Sequence, residues 1–82
     1  MRIGDMLDPL SPVPMYVQLA DLIAKEIEEG KLLPRRPIPS ETQLRGEHGV
    51  GRGTVRQAVA LLRERGLVFT VPQRGTYVAE KR

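Results

Sequence analysis

Arg52 and Arg56 stand four residues apart in the run Gly49-Val50-Gly51-Arg52-Gly53-Thr54-Val55-Arg56-Gln57-Ala58-Val59-Ala60-Leu61-Leu62. An arginine presents a planar fork of donors that fits phosphate oxygens and the edge of guanine, and this spacing puts two such forks on one side of a helix. Thr54 and Gln57 add short polar groups that reach base edges or phosphates. Val55, Ala58, Val59 and Leu62 recur at the three- and four-residue spacing of a buried helical face. One side of the helix therefore belongs to a core, and the other is free to enter a DNA groove.

The same glycines invite a different chemistry, a phosphate-cradling loop of an enzyme. A dinucleotide fingerprint, however, needs glycine where Thr54 stands and a buried strand before the first glycine, and Leu44-Arg45-Gly46-Glu47-His48 is not such a strand. The Gly-Lys-Ser/Thr ending of a nucleotide-triphosphatase loop is missing as well. No serine, histidine and carboxylate grouping suggests nucleophilic catalysis, and a chain of 82 residues has no second layer to form a pocket. His48, the sole histidine, reads as a packed side chain, because a metal site needs converging partners and the chain has no cysteine. The sequence thus calls for neither an enzyme nor a cofactor nor a metal.

What positions the arginines must be small. At this length the chain buries one core, so a single domain is expected, and without cysteine it stands on packing alone. No apolar run approaches a membrane span and the N-terminus does not resemble a signal peptide, which makes a cytoplasmic protein the natural reading. The net charge of +3 is unevenly divided, with −4 from Met1 to Gly30 and +7 from Lys31 to Arg82. Ten of the thirteen cations are arginine, so the C-terminal portion is the part suited to a polyanion.

Residues 1–13, with Gly4, Pro9 and Pro12, read as a loosely ordered lead-in. A first helix is predicted from near Pro14, with Tyr16, Leu19, Ala20, Ile23 and Ile27 on its inner side, acidic residues outside, and Gly30 as its stop. Lys31 to Pro39 reads as an extended connector in which Ile38 packs inward. Ser40 and Gln43 form a capping-box pattern opening a short second helix to about His48. Gly49 turns the chain into the third helix, Arg52 to Arg65, capped by Gly51 and stopped by Gly66. After Gly66 the period becomes two, and Leu67–Val71 and Thr76–Val78 flank Pro72-Gln73-Arg74-Gly75 as a hairpin. The expected fold is mainly α with a small β-hairpin, a winged helix-turn-helix of three helices and a two-stranded wing over residues 14–79, followed by a tail at 80–82.

Many residues in this order resemble one family. Pro39-Ser40-Glu41, the run from Gly49 to Ala58, Leu61-Leu62, Gly66-Leu67-Val68 and Arg74-Gly75-Thr76-Tyr77-Val78 are similar to the N-terminal DNA-binding domain of GntR-type bacterial transcription regulators. The resemblance implies a repressor-like domain whose third helix lies in the major groove while the wing meets the adjacent backbone or minor groove. It implies base or phosphate contacts from Arg52 and Arg56, with Thr54, Ser40 and Thr42 on the backbone and Arg74 acting from the wing. Gly53, Gln57, Gln73 and Gly75 complete the expected interface. Arg45 stands where an alanine commonly packs, and is expected to lay its stem over the core and send its head to phosphate.

Gly51 replaces the usual serine or threonine cap, Gly53 leaves the helix bare between the two arginines, and Gln73 stands where the wing tip often has glycine. Regulators of this type usually continue into a larger effector-binding and dimerising domain; this sequence is either an excised domain or a minimal regulator. The implied partner is a pseudo-palindromic duplex operator, bound by a weak homodimer or a dimer formed on DNA. The alternative is a winged-helix module for protein contacts with an incidental basic surface, which a salt-dependent DNA titration separates.

Overall fold

The apolar stripes foreseen on the first and third helices close on each other. The computed structural model describes residues 7–80, and its elements run α1 (Met15–Glu28), α2 (Glu41–His48), α3 (Arg52–Glu64), β1 (Val68–Val71) and β2 (Gly75–Val78). Residues 1–6 of the expected lead-in and 81–82 of the expected tail lie outside the described residues. Leu19, Ala20 and Ile23 of α1 pack with Val55, Ala58 and Leu62 of α3, and Ile38, Leu44, Val68 and Val78 complete the buried core. Each element contributes to it, α2 through Leu44 alone. Val59, expected on the buried face, is half-buried. The winged helix-turn-helix expected from the sequence is the observed fold.

The elements stop where their glycines allow. Gly66 has φ +75°, and the amides of Gly66 and Leu67 return to the carbonyls of Arg63 and Leu62, both at 3.0 Å. This pair of bonds is the Schellman closure, which needs a left-handed residue and so favours glycine. It turns the chain out of α3 directly into β1. Gly49, also left-handed at φ +63°, makes the turn between α2 and α3, its amide donating to the Arg45 carbonyl at 2.9 Å.

β1 and β2 pair antiparallel from Val68↔Val78 to Val71↔Gly75. The connector supplies a partial third strand on the far side of β2. Arg35 N–H donates to Val78 O, Val78 N–H to Arg36 O and Ile38 N–H to Thr76 O, at 2.8–2.9 Å. Pro37, which has no amide proton, falls opposite Tyr77 where the ladder requires no donor from it. Ile38 is thereby pointed inward, as its sequence position suggests.

Residues 7–13 are more ordered than a loose lead-in. Gln18 of α1 donates through Nε2 to the carbonyls of Asp8 and Val13, and its Oε1 accepts from Asp8 N–H at 2.7 Å. Pro14 is the N-cap of α1 rather than its first residue, with its carbonyl accepting from Val17 and Gln18. A single glutamine thus folds the preceding turn onto the helix. Among the described residues no helix is long and apolar enough to cross a membrane.

Leu62 has no exposed surface, whereas Leu33 on the connector is 55% exposed. Leu62→Ala is expected to cost about 2–5 kcal/mol, enough to unfold a large share of a domain this small, and Leu33→Ala to stay within about 0.5 kcal/mol. Urea melts of the two variants check the contrast.

Candidate nucleic-acid interface

α3 turns its cations outward because α1 occupies its other side. Arg52, Arg56 and Arg63, four and eleven residues apart, fall within about 40° of one another around the helix, forming one basic stripe. Glu41, the first residue of α2, faces that stripe. Its Oε1 lies 3.4 Å from Arg56 Nε and 4.0 Å from Arg52 Nε. The guanidinium side chains are 64–69% exposed, so solvent screens these pairs and each contributes little to stability. Glu41 Oε1, however, is shielded from solvent and accepts no hydrogen bond, leaving the two arginines to balance it. The carboxylate therefore draws both forks to one side of the helix start.

That start has little support of its own. Gly51 is the N-cap and offers no side-chain acceptor, and no acidic residue lies in the first turn, where Arg52 stands. The first-turn amides and the positive end of the helix dipole therefore lack a counter-group of the helix's own, an arrangement that favours an external anion. A Cβ built on Gly53 meets nothing within 4 Å, so packing within the protein does not require glycine there. Ser40 caps α2, its Oγ accepting from Gln43 N–H at 3.1 Å. Only half of the foreseen capping box forms, because the Gln43 amide donates to Glu47 Oε2 at 3.4 Å instead of returning to Ser40.

The wing carries Arg74 at its tip. Arg74 N–H donates to Val71 O at 3.0 Å, closing a turn over Pro72 and Gln73. Proline followed by a positive φ, here +65° at Gln73, is the signature of a type II turn. The backbone therefore adopts the conformation for which glycine is usual, with a glutamine bearing it. Arg74 is left exposed beyond the sheet.

Between the wing and α3 runs an open groove of about 610 Å³, bordered by Ser40 and Glu41 from α2, Arg56 and Arg63 from α3, and Arg74 and Gly75 from the wing. Of the residues singled out in sequence, the groove brings together Ser40, Arg56, Arg74 and Gly75. Arg52, Gly53, Gln57, Thr42 and Gln73 are exposed outside its lining, and Thr54 is half-buried. Arg45 is exposed, like Thr42 of the same helix. With Leu44 pointing inward, the next residue lies about 100° around the helix, on the solvent side.

Three residues were missed as position-setting groups. They are Glu41, which enters the sequence reading only within a motif, and Arg63 and Arg65 at the far end of α3. Arg65 Nη1 lies 2.8 Å from Asp21 Oδ1, pinning the end of α3 to α1. Arg63 Nη1 donates to Thr70 Oγ1 of β1 at 2.9 Å, and Thr70 Oγ1 lies 3.1 Å from Thr76 Oγ1 of β2. The common stripe of Arg52, Arg56 and Arg63 was a usable signal for Arg63; nothing local marked the partners. His48 is half-buried beside Leu22, Lys25 and Glu26 of α1.

The model of the bacterial regulatory proteins of the gntR family matches residues 15–78. NagR of Bacillus subtilis (strain 168), an HTH-type transcriptional repressor, is 39% identical over 70 residues, covering 85% of this chain and 29% of that protein. MngR of Escherichia coli (strain K12), a repressor of a mannosyl-D-glycerate transport and metabolism system, is 44% identical over 69 residues, covering 84% and 29%. The chain thus spans under a third of the length of these relatives. Among solved structures, AraR(DBD) in complex with operator ORX1 superposes with a TM-score of 0.81 at 40% identity, covering 88% of this chain and 89% of that one. YtrA from Sulfolobus acidocaldarius, a GntR-family transcription factor, gives 0.83 at 33% identity, covering 93% and 80%. With the family's match running from the first residue of α1 to the last of β2, the chain belongs to the gntR family of bacterial regulatory proteins.

Proposed function

We propose that the domain binds duplex DNA sequence-specifically as a transcription regulator, in the manner of a repressor, working in the cytoplasm. α3 enters the major groove, and the wing lies on the adjacent backbone or minor groove. The observation that carries this reading is the groove itself, with Arg56 and Arg63 of α3 on one side and Arg74 of the wing on the other; outside its lining, the α3 N-terminus is short of acceptors. Likeness to an operator-bound domain and to two named repressors supports it.

Within that arrangement Arg52 and Arg56 read base edges or phosphates at the start of α3. Thr54 and Gln57 assist them, and the open surface over Gly53 admits close approach of a base pair. Ser40, Thr42 and Arg45 meet the backbone from α2, and Gln73, Arg74 and Gly75 meet it from the wing. Two copies on a pseudo-palindrome double these contacts, so the protein pairs on DNA from a monomer or weak dimer.

Arg52→Ala and Arg56→Ala are each expected to cost about 1–3 kcal/mol of binding where the arginine makes a bidentate guanine contact, and to relax the base preference there. Titration of a duplex enriched from a random pool measures this; parent-like affinity of both variants in low and moderate salt would sink the docking. Arg74→Ala should instead weaken selected and unrelated duplexes by similar factors. If the guanidinium meets phosphate, the slope of log affinity against log salt falls by about one unit. Bases inserted between half-sites should remove cooperative two-to-one binding. A single protomer holding a non-palindromic site would end the dimer reading and leave DNA binding standing.

A further inference from the structure

The wing is only four residues long on each strand; the connector supports β2 as far as Thr76, whose carbonyl accepts from Ile38 N–H at 2.9 Å, and a hairpin of that size does not otherwise hold its own direction in water. At its base Val68 and Val78 are buried and fix it to the core. Toward the tip the next pair on the same face is Thr70 and Thr76, with hydroxyls 3.1 Å apart. Arg63 reaches across from α3 and donates to Thr70 at 2.9 Å. Beyond this pair come only Val71, Gly75 and the tip that bears Arg74. The bond from Arg63 is therefore the outermost described side-chain tie between α3 and the hairpin.

We infer that Arg63 is a positioning residue: through Thr70 and Thr76 it sets the distance from α3 to the wing, and so the register between the two parts of the DNA contact. This rests on the DNA-binding reading above. Arg56, Arg63 and Arg74 border the same groove, and three cations so placed repel one another. A neutral hydroxyl pair gives Arg63 an acceptor that holds the wing inward without neutralising the groove. In the free protein the bond is exposed and contributes little to folding, whereas a duplex laid over the groove excludes water and strengthens it. A wing held in place beforehand also avoids the ordering cost on binding.

Thr70→Val removes the acceptor without changing charge and keeps a residue suited to a strand. It is expected to leave the thermal midpoint near that of the parent while weakening binding to the enriched duplex about fivefold. Thr70→Ser, which keeps the hydroxyl, restores parental affinity. Combined with Arg74→Ala, Thr70→Val should add almost nothing, because the wing contact it serves is already gone. Parent-like binding by Thr70→Val, or full additivity with Arg74→Ala, overturns the inference. A lowered salt slope for Arg63→Met beside an unaffected Thr70→Val would likewise overturn it, by making Arg63 a direct phosphate ligand. If Arg74→Ala itself costs nothing, the wing lies outside the interface and that part of the DNA reading falls together with this one. If Arg74→Ala costs affinity and Thr70→Val does not, only the positioning role falls.

Discussion

The packing of α3 on α1 is the constraint from which the rest of the domain follows. Leu19, Ala20 and Ile23 meet Val55, Ala58 and Leu62, and the alanines, fully buried, let the helices lie close. α3 has one apolar side, and once α1 has taken it the rotation of the helix about its axis is fixed. That rotation is what aims Arg52, Arg56 and Arg63 outward together. The wing is anchored in the same core through Val68 and Val78, so one cluster of side chains determines both borders of the groove.

Much of this was legible in the chain because it depends on period and on glycine. The spacing of Val55, Ala58 and Leu62 fixes a helix face, and the glycines at 49 and 66 fix where the chain turns; both are local. The groove was less legible because its walls come from three elements. Glu41 finds Arg56 across fifteen positions, Arg65 finds Asp21 across forty-four, and neither partner is indicated by its neighbours in sequence.

Three of this chain's departures fall at the start of α3 and the tip of the wing. Gly51 withholds a side-chain cap, Gly53 lowers local helix preference, and Arg52 sits at the positive end of the helix dipole. A helix begun this way relies on tertiary packing for its stability, and Val55 and Ala58 provide that packing within its first two turns. The tip is similar, since Gln73 holds a left-handed backbone in a turn framed by a proline and a glycine. In both places local preference yields to a conformation imposed by the rest of the domain.

The acidic outer surface of α1 lies behind the basic stripe of α3, with the core between them. Glu28 and Glu29 are exposed there, while the net positive charge of the chain belongs to the later elements. Opposite charges on opposite sides make the molecule an electric dipole. In the field of a polyanion such a body experiences a torque before it makes any contact, and it turns its arginines toward the source. Encounters through α1 are repelled, so orientation is selected during approach and a larger share of collisions begins with the groove in front.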